Sequence, residues 1–324
     1  MQVQPRPVLS RLKKKHSAAP RCAVRVNSRH IDWTQISRIG QGRPVVKLFS
    51  SALVKTGMPE DLARLRKQDR LDRFRITTLL EPRRYQLHLI DAPEVPDAEL
   101  QAAVRWRLQD LIDYPPDAAT VDVLAVPSEP DVGARAKQVF AISARNDDVA
   151  ACMRLFAEAR LALDVIDIPE LAQRNVAALY EEGARGLALL GFSDAGGLLT
   201  ITAGGELYVA RNLEATSAQI ETVNGAARVA LFERVVLELQ RSLDHFDRQF
   251  GGLPVVRLLL APVPGAEPLR QHLADNLYLP VELLDLNQVL DLAAVPELAQ
   301  PEAQARALHV IGAALRDLAP DPAR

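Results

Sequence analysis

Residues 187–213 read LALLGFSDAGGLLTITAGGELYVARNL. Val, Leu, Ile and Thr alternate on either side of Asp194-Ala195-Gly196-Gly197 and again of Gly204-Gly205, the pattern of strands with one face buried. Glycine pairs supply the positive φ of a two-residue hairpin turn, so the stretch predicts a meander of three strands opening a domain. Beyond it the pattern predicts a helix over 229–250, a strand over 255–260, a helix over 268–277 and a strand over 281–284. The first of these helices spaces Phe232, Val236, Leu239, Leu243, Phe246 and Phe250 by 4, 3, 4, 3 and 4, and Gly251-Gly252 ends it.

Ahead of the meander, RCAVRVN, HIDWTQIS and PVVKLFSSAL alternate in the same way, separated by polar turns and by Gly40-Gln41-Gly42. They predict a small antiparallel sheet. Residues 59–75 mix Leu62, Leu65, Leu71 and Phe74 with dense charge and read as a surface helix with a solvated basic face. From Tyr85 the order is strand (YQLHLI), helix (97–113), two strands (TVDVLAVP and KQVFAISAR), helix (146–159) and strand (LALDVIDI). The 97–113 helix gathers Leu100, Val104, Leu108, Leu111 and Ile112 on one face, with Asp97 as its expected N-cap, so it should lie on a sheet. Residues 127–131 and 296–301 read as loops and 181–186 as the linker between halves.

At 324 residues the chain has room for two domains, and 48% hydrophobic with 25% charged residues is a globular composition. Lys+Arg 39 against Asp+Glu 41 leaves a formal charge of -2, which argues against a dedicated nucleic-acid binder. No run of 18 apolar residues is present and the N-terminal lysines lack an apolar segment behind them, so the expectation is a chain kept in the cytosol. Residues 1–21 carry Arg6, Arg11, Lys13, Lys14, Lys15 and Arg21 with no acidic residue, which predicts a disordered basic tail. Attraction of such a tail to anionic lipid is worth about 1 kcal/mol per basic residue near the surface. Cys22 and Cys152 form no disulfide framework and have no partner at metal-ligand spacing, so both read as ordinary thiols.

Catalytic motifs are incomplete. Gly40-Gln41-Gly42 lacks a third glycine and precedes a strand, so it cannot aim a helix at a pyrophosphate. Gly191-Phe192-Ser193-Asp194-Ala195 has the outline of a hydrolase elbow, but Ala195 replaces its second glycine and a strand follows where a helix must. There is no lysine phosphate loop and no HExxH, and the six histidines are scattered without i, i+4 partners.

Five stretches in order resemble the PilM family. ELQAAVRWRLQDLIDYPPDAATVD (99–122) is similar to its Val-Arg-Trp helix and following turn and strand; LDVIDIPELAQRN is similar to the next strand and helix. VVLELQRSLDHF resembles its Arg-Ser-Leu-x-x-Phe helix, and LYLPVELLDL its closing strand. The Trp-Arg-x-x-Asp-Leu-Ile-Asp-Tyr-Pro run together with LLTITAGGELYVAR points to the MshI branch, a component of MSHA-type pilus biogenesis. The resemblance covers residues 22–318.

It implies an α/β, actin/FtsA-like (ribonuclease H-like) two-domain fold. The first domain would span 22–182 with a small inserted α+β subdomain at about 81–168, the second 186–318, and 319–324 would be a tail. It also implies a cytosolic place on the inner-membrane platform of a type IV pilus, peripheral to the membrane, with the cytosolic N-terminal tail of a PilN-like membrane protein as partner. The run that matches most specifically, Trp106, Arg107, Asp110, Asp113, Tyr114 and Pro115, is the expected partner-binding surface, since an aromatic among charged and turn residues is a common hot-spot composition.

Members of the wider family bind ATP between two acidic phosphate loops, and this chain departs from both. The first loop should read Asp-x-Gly where Val24-Arg25-Val26-Asn27-Ser28 stands. In the second, Gly191 stands at the aspartate, Ser193 at the glycine, and Gly196-Gly197 at the threonines, with Asp194 three residues out of place. Ala261-Pro262-Val263-Pro264 fills the adenosine loop. The expectation is a non-catalytic adaptor without cofactor. A nucleotide-dependent switch holding ATP and Mg²⁺ in a remodelled site at Ser193, Asp194, Gly196 and Gly197 is the alternative; an actin-fold sugar or acetate kinase would need a catalytic Asp that is missing.

Overall fold

The computed structural model describes residues 20–37, 42–127 and 137–316. The tail expected at 1–21 (but for Pro20 and Arg21), the tail at 319–324, the turn at Gly40-Gln41 and most of the 127–131 loop lie outside the described residues. Those described form two compact units, one from residues up to 33 and 51–169, the other from 34–50 and 170 onward. The division therefore falls before the 181–186 linker read from sequence.

In chain order the first part contains β1 (Arg21–Val26), β2 (His30–Ser37), β3 (Val45–Leu53), α1 (Met58–Gln68), β4 (Arg75–Leu79), β5 (Tyr85–Asp91), α2 (Asp97–Arg107), β6 (Ala119–Ala125), β7 (Gln138–Arg145), α3 (Asn146–Glu158), β8 (Leu163–Asp167) and α4 (Pro169–Ala177). Five strands make one sheet in the order β3-β2-β1-β4-β8, with β4 parallel to both β1 and β8. β4, RITTL, was hidden behind the charged run of 59–75, yet Ile76 is fully buried at the centre of the sheet. α1 is less of a surface helix than its charge suggests, because Leu62 and Leu65 bury one stripe of it.

Between β4 and β8 the chain builds a three-stranded antiparallel sheet, β5-β7-β6, in which Tyr85 pairs with Ala144 and Asp91 with Gln138. α2 covers one face, where Val104, Leu108, Ile112 and Tyr114 pack on Ala119, Val121, Val139 and Ala141. The helix expected over 97–113 ends at Arg107 and tightens into a 3₁₀ turn, Leu108–Asp110. The tighter winding rotates Leu111 off the buried stripe, leaving it 47% exposed. Asp97 is not the N-cap: Pro96 holds that position, and no side chain caps the helix. The insertion also ends earlier than 168, since β8 is the fifth strand of the main sheet.

The second part contains β9 (Gly186–Ser193), β10 (Gly196–Ala203), β11 (Glu206–Leu213), α5 (Ser217–Thr222), α6 (Gly225–Gln249), β12 (Val255–Leu260), α7 (Ala266–Asn276), β13 (Val281–Leu283) and α8 (Pro301–Leu315). Its sheet runs β11-β10-β9-β12-β13. The meander is present, and Gly204 and Gly205, at φ 58 and 75, make its second turn. The first turn is different: Gly196 and Gly197 lie inside β10, and Asp194-Ala195 alone bridge the strands.

α6 begins at Gly225, earlier than its apolar spacing announced, and buries Phe232, Val236, Leu239, Leu243 and Phe246. Burying each such side chain contributes about 1.5–3 kcal/mol, so this helix anchors the unit's core with Leu190, Ile201, Leu258 and Leu260. α8 follows a 3₁₀ turn, Pro296–Ala299, where sequence suggested only loop, and Pro301 occupies its first position. It packs on α4 so tightly that a Cβ on Gly312 would lie 2.0 Å from the Ala172 carbonyl oxygen. Asn175 Nδ2 donates to the Gly312 carbonyl at 2.9 Å, which fixes α4 within the second unit.

Candidate functional site

The expected partner surface lies where α2 gives way to its 3₁₀ turn. Trp106 points outward with 59% of its surface exposed, so its indole is not part of the core beneath the helix. Trp106, Asp113, Tyr114 and Pro115 line one surface depression of about 560 Å³ together with Gln109, Ile112 and Pro116, which sequence reasoning did not single out. Arg107 and Asp110 do not line it. Arg107 Nη1 donates to the Asp91 carbonyl at 3.2 Å, and Asp110 is exposed.

Tyr114 and Asp113 in this depression are tied to their neighbours. Tyr114 is 7% exposed and its hydroxyl donates to Ser143 Oγ at 3.1 Å, while the Arg145 guanidinium lies 4.5 Å from its ring centroid. Burial raises the phenol above its ordinary range, with the Ser143 hydrogen bond and the Arg145 charge opposing. Asp113 joins Arg145 at 3.0 Å and accepts from Gln86 Nε2 at 3.2 Å. The arrangement is an exposed aromatic rim over a fixed aromatic base with charges on both sides. Such a shape suits one protruding side chain and a short extended backbone.

The other candidate residues sit at the β9–β10 turn. Ser193 Oγ accepts from the Ala195 N–H at 3.2 Å and donates to the Gly196 carbonyl at 3.2 Å. Asp194 accepts from Ser217 Oγ at 3.2 Å, so the carboxylate serves the start of α5. Gly191 lies in β9 under a buried polar group that sequence did not reveal: Gln173 Nε2 donates to the Leu189 and Leu198 carbonyls at 2.7 and 3.1 Å and to Thr200 Oγ1 at 3.0 Å. A Cβ at 191 would meet Gln173 Oε1 at 3.2 Å, with Ala261 and Leu308 behind it. After β12, Ala261, Pro262 and Val263 are buried, and the Ala261 N–H is bonded to Leu190 O.

At the β1–β2 turn, Asn27 Oδ1 accepts from the N–H groups of Arg29 and His30, and Asn27 N–H bonds to His30 O. Beside it the fully buried Asp32 carboxylate pairs with Arg25 at 2.7 Å and accepts from Ser51 Oγ at 2.6 Å. A phosphate cradle needs several amides pointing into open space and a carboxylate to orient a metal's waters. In these turns the Arg29, His30 and Ala195 amides are bonded to side chains of the turn and the Asn27 amide to a backbone carbonyl, while the carboxylates hold Arg25, Ser51 and Ser217. Such a donor set does not fit Mg·ATP. Among the described residues no three His, Cys, Asp or Glu side chains are grouped to hold a metal, and no helix is long and apolar enough to cross a membrane. Burial pushes the Cys152 thiol up to about 11, far from a reactive thiolate.

No protein-family model and no curated protein sequence matches the chain. Solved structures do. A chain of the PilM-PilN type IV pilus biogenesis complex superposes with a TM-score of 0.71, covering 94% of this chain and 100% of that one at 20% identity. The cytoplasmic domain of EpsL, an inner-membrane component of the type II secretion system of Vibrio cholerae, gives 0.45 over 82% and 85% at 16% identity. A Bacteroides thetaiotaomicron protein of unknown function with an actin-like ATPase fold gives 0.50 over 87% and 96% at 10% identity. With two sheets of one strand order and the neighbours at TM-scores of 0.71 and 0.50, the chain has the actin-like ATPase fold.

Proposed function

We propose that this protein is a PilM-like, non-catalytic component of the inner-membrane platform of a type IV pilus, of the MSHA type. It works in the cytoplasm, peripheral to the inner membrane. There it holds the cytosolic N-terminal tail of a PilN-like membrane protein at Trp106, Arg107, Asp110, Asp113, Tyr114 and Pro115. The observation that carries this reading is the exposed Trp106 on the rim of the depression, in the very segment whose sequence most resembles that family. A large aromatic left 59% exposed beside a buried tyrosine suits a binding anchor better than a packing residue. The fold match to a chain of the PilM–PilN complex supports the partner class.

The non-catalytic part rests on the two turns. Removing the charge that positions a metal takes away most of the electrostatic stabilisation of phosphoryl transfer, and here Gly191 is backed by Gln173 rather than by space for a carboxylate. Two measurements test the proposal. The full chain used as bait on detergent-solubilised membranes should retain a pilus-platform membrane protein, and the double variant Arg107→Glu, Asp110→Arg should lose it at an unchanged melting temperature. Retention by the double variant would remove Arg107 and Asp110 from the site, and retention by Trp106→Ala as well would move the site elsewhere. Calorimetry should give no Mg·ATP heat, and micromolar binding would instead establish the nucleotide switch at Ser193, Asp194, Gly196 and Gly197.

A further inference from the structure

Sheet edges expose unpaired N–H and C=O groups, and proteins guard them with charges, prolines or bulges. Among the described residues five of the six edge strands are guarded along their length: β3 by Lys47, β6 by Asp122, β8 by Asp164, β11 by Glu206 and Arg211, and β13 by Glu282. β5 is the exception over most of its length: Tyr85-Gln86-Leu87-His88-Leu89-Ile90 contains no Lys, Arg, Asp, Glu or Pro, and its one charged residue, Asp91, is its last. Its pairing with β7 runs the whole length without a register shift.

The alternation of antiparallel hydrogen bonds tells which groups point outward. Ala92 N–H bonds to Lys137 O, so residues 92, 90, 88 and 86 face β7, and Leu87, Leu89 and Asp91 turn their backbone groups away from it. Asp91 O confirms this by accepting from Arg107 on the outer side. Among the described residues no backbone hydrogen bond outside the β5–β7 pair reaches Leu87 or Leu89, and Leu89 is 40% exposed.

The charges flanking this bare edge are complementary to themselves. Arg83 and Arg84 precede the strand and Asp91 and Glu94 follow it, all exposed at the surface. We propose that β5 is a homodimer interface, in which a second copy of this chain pairs antiparallel about a two-fold axis at His88 and joins two three-stranded sheets into one of six. Leu87 then faces the other copy's Leu89 in a hydrogen-bonded pair, twice over by symmetry. Arg83 and Arg84 then fall opposite the other copy's Pro93 and Ala92, between its Asp91 and Glu94, at both ends. A two-fold interface must be self-complementary, and an antiparallel strand with basic residues at its start and acidic ones at its end meets that condition. Arg84 keeps its own partner, Asp148, so Arg83 is the arginine available to the second copy.

The inference does not depend on the partner or the pilus, and it is tested with the purified full chain. Light scattering on a sizing column should show a dimer whose fraction rises with concentration. Leu89→Pro removes only an outward N–H and leaves the β7 ladder intact, so it should give a monomer with native circular dichroism; Leu89→Lys should do the same by guarding the edge. The register is read by cross-linking. His88→Cys places two thiols opposite each other in a non-hydrogen-bonded pair, a spacing of about 4.5 Å between Cα atoms that a disulfide spans, so oxidation should give a covalent dimer. Gln86→Cys and the unsubstituted chain should stay monomeric on denaturing gels. A wild-type chain that is monomeric at every concentration, a dimer that survives both Leu89 variants, or equal cross-linking at 86 and 88 would each overturn the proposal.

Discussion

The two five-stranded sheets share one strand order, β3-β2-β1-β4-β8 and β11-β10-β9-β12-β13, and differ in how the chain travels between the last two strands. In the second, a single helix, α7, carries the chain from β12 to its parallel neighbour β13. In the first, β5, α2, β6 and β7 are built before α3 makes the equivalent crossover to β8. A parallel connection needs one helix and no more. Everything before α3 is therefore surplus to the sheet, and that surplus carries both the exposed Trp106 and the bare edge of β5. The halves also differ in their buried polar groups, Arg25–Asp32–Ser51 in one and Gln173–Thr200 in the other.

Four substitutions probe this contrast, from the largest effect to the smallest. Gly312→Ala should break the second half, because nothing can relax a Cβ placed 2.0 Å from a carbonyl oxygen without separating α8 from α4. A loss of about 3 kcal/mol in urea denaturation is expected, and a loss under about 1 kcal/mol would show the contact to be loose. Gly191→Asp should cost about 2 kcal/mol by pressing an unpaired carboxylate on Gln173 Oε1. It should also bring no Mg·ATP binding, as calorimetry would report. Gain of binding would mean the site lacks only that one residue.

Asp61 sharpens the first half. Its buried carboxylate accepts from the N–H groups of Lys55 and Thr56 at 2.6 and 3.0 Å and pairs with Arg64 at 2.9 Å. The Lys55 amide, then Arg64 and Thr56, hold it well below the ordinary carboxylate range. A depressed carboxyl stabilises the fold fully above about pH 4 and loses that contribution as the pH falls further. Asp61→Asn should thus melt earlier at neutral pH, with the gap to wild type closing on acidification; a gap independent of pH would assign the effect to packing. Trp106→Ala is the smallest in stability, within about 0.5 kcal/mol because the side chain is exposed, while retention of the membrane partner should fall at least about tenfold.

Much of the fold was legible from periodicity alone. The alternation of 187–213 and the 4-3-4-3-4 spacing on α6 depend on one buried face each, and that is what sequence records best. β4 was not legible, because five residues behind a charged helix carry no alternation, and α8 was masked by Pro296 and Pro301, which look like loop until the helix start they make is seen. Leu111 was misplaced because a 3₁₀ turn changes the angular step that the pattern assumes. The outward Trp106 was singled out by its segment, but its exposure depends on where α2 stops. Gln173 gave no signal at all, since its role arises from carbonyls of β9 and β10 more than a dozen residues away.

Tyr85 and Ala144 stand side by side, so the excursion from the first sheet leaves and returns through the same doorway. A segment closed on itself in this manner can be inherited, lost or traded as one uninterrupted stretch of gene without disturbing the strands it interrupts.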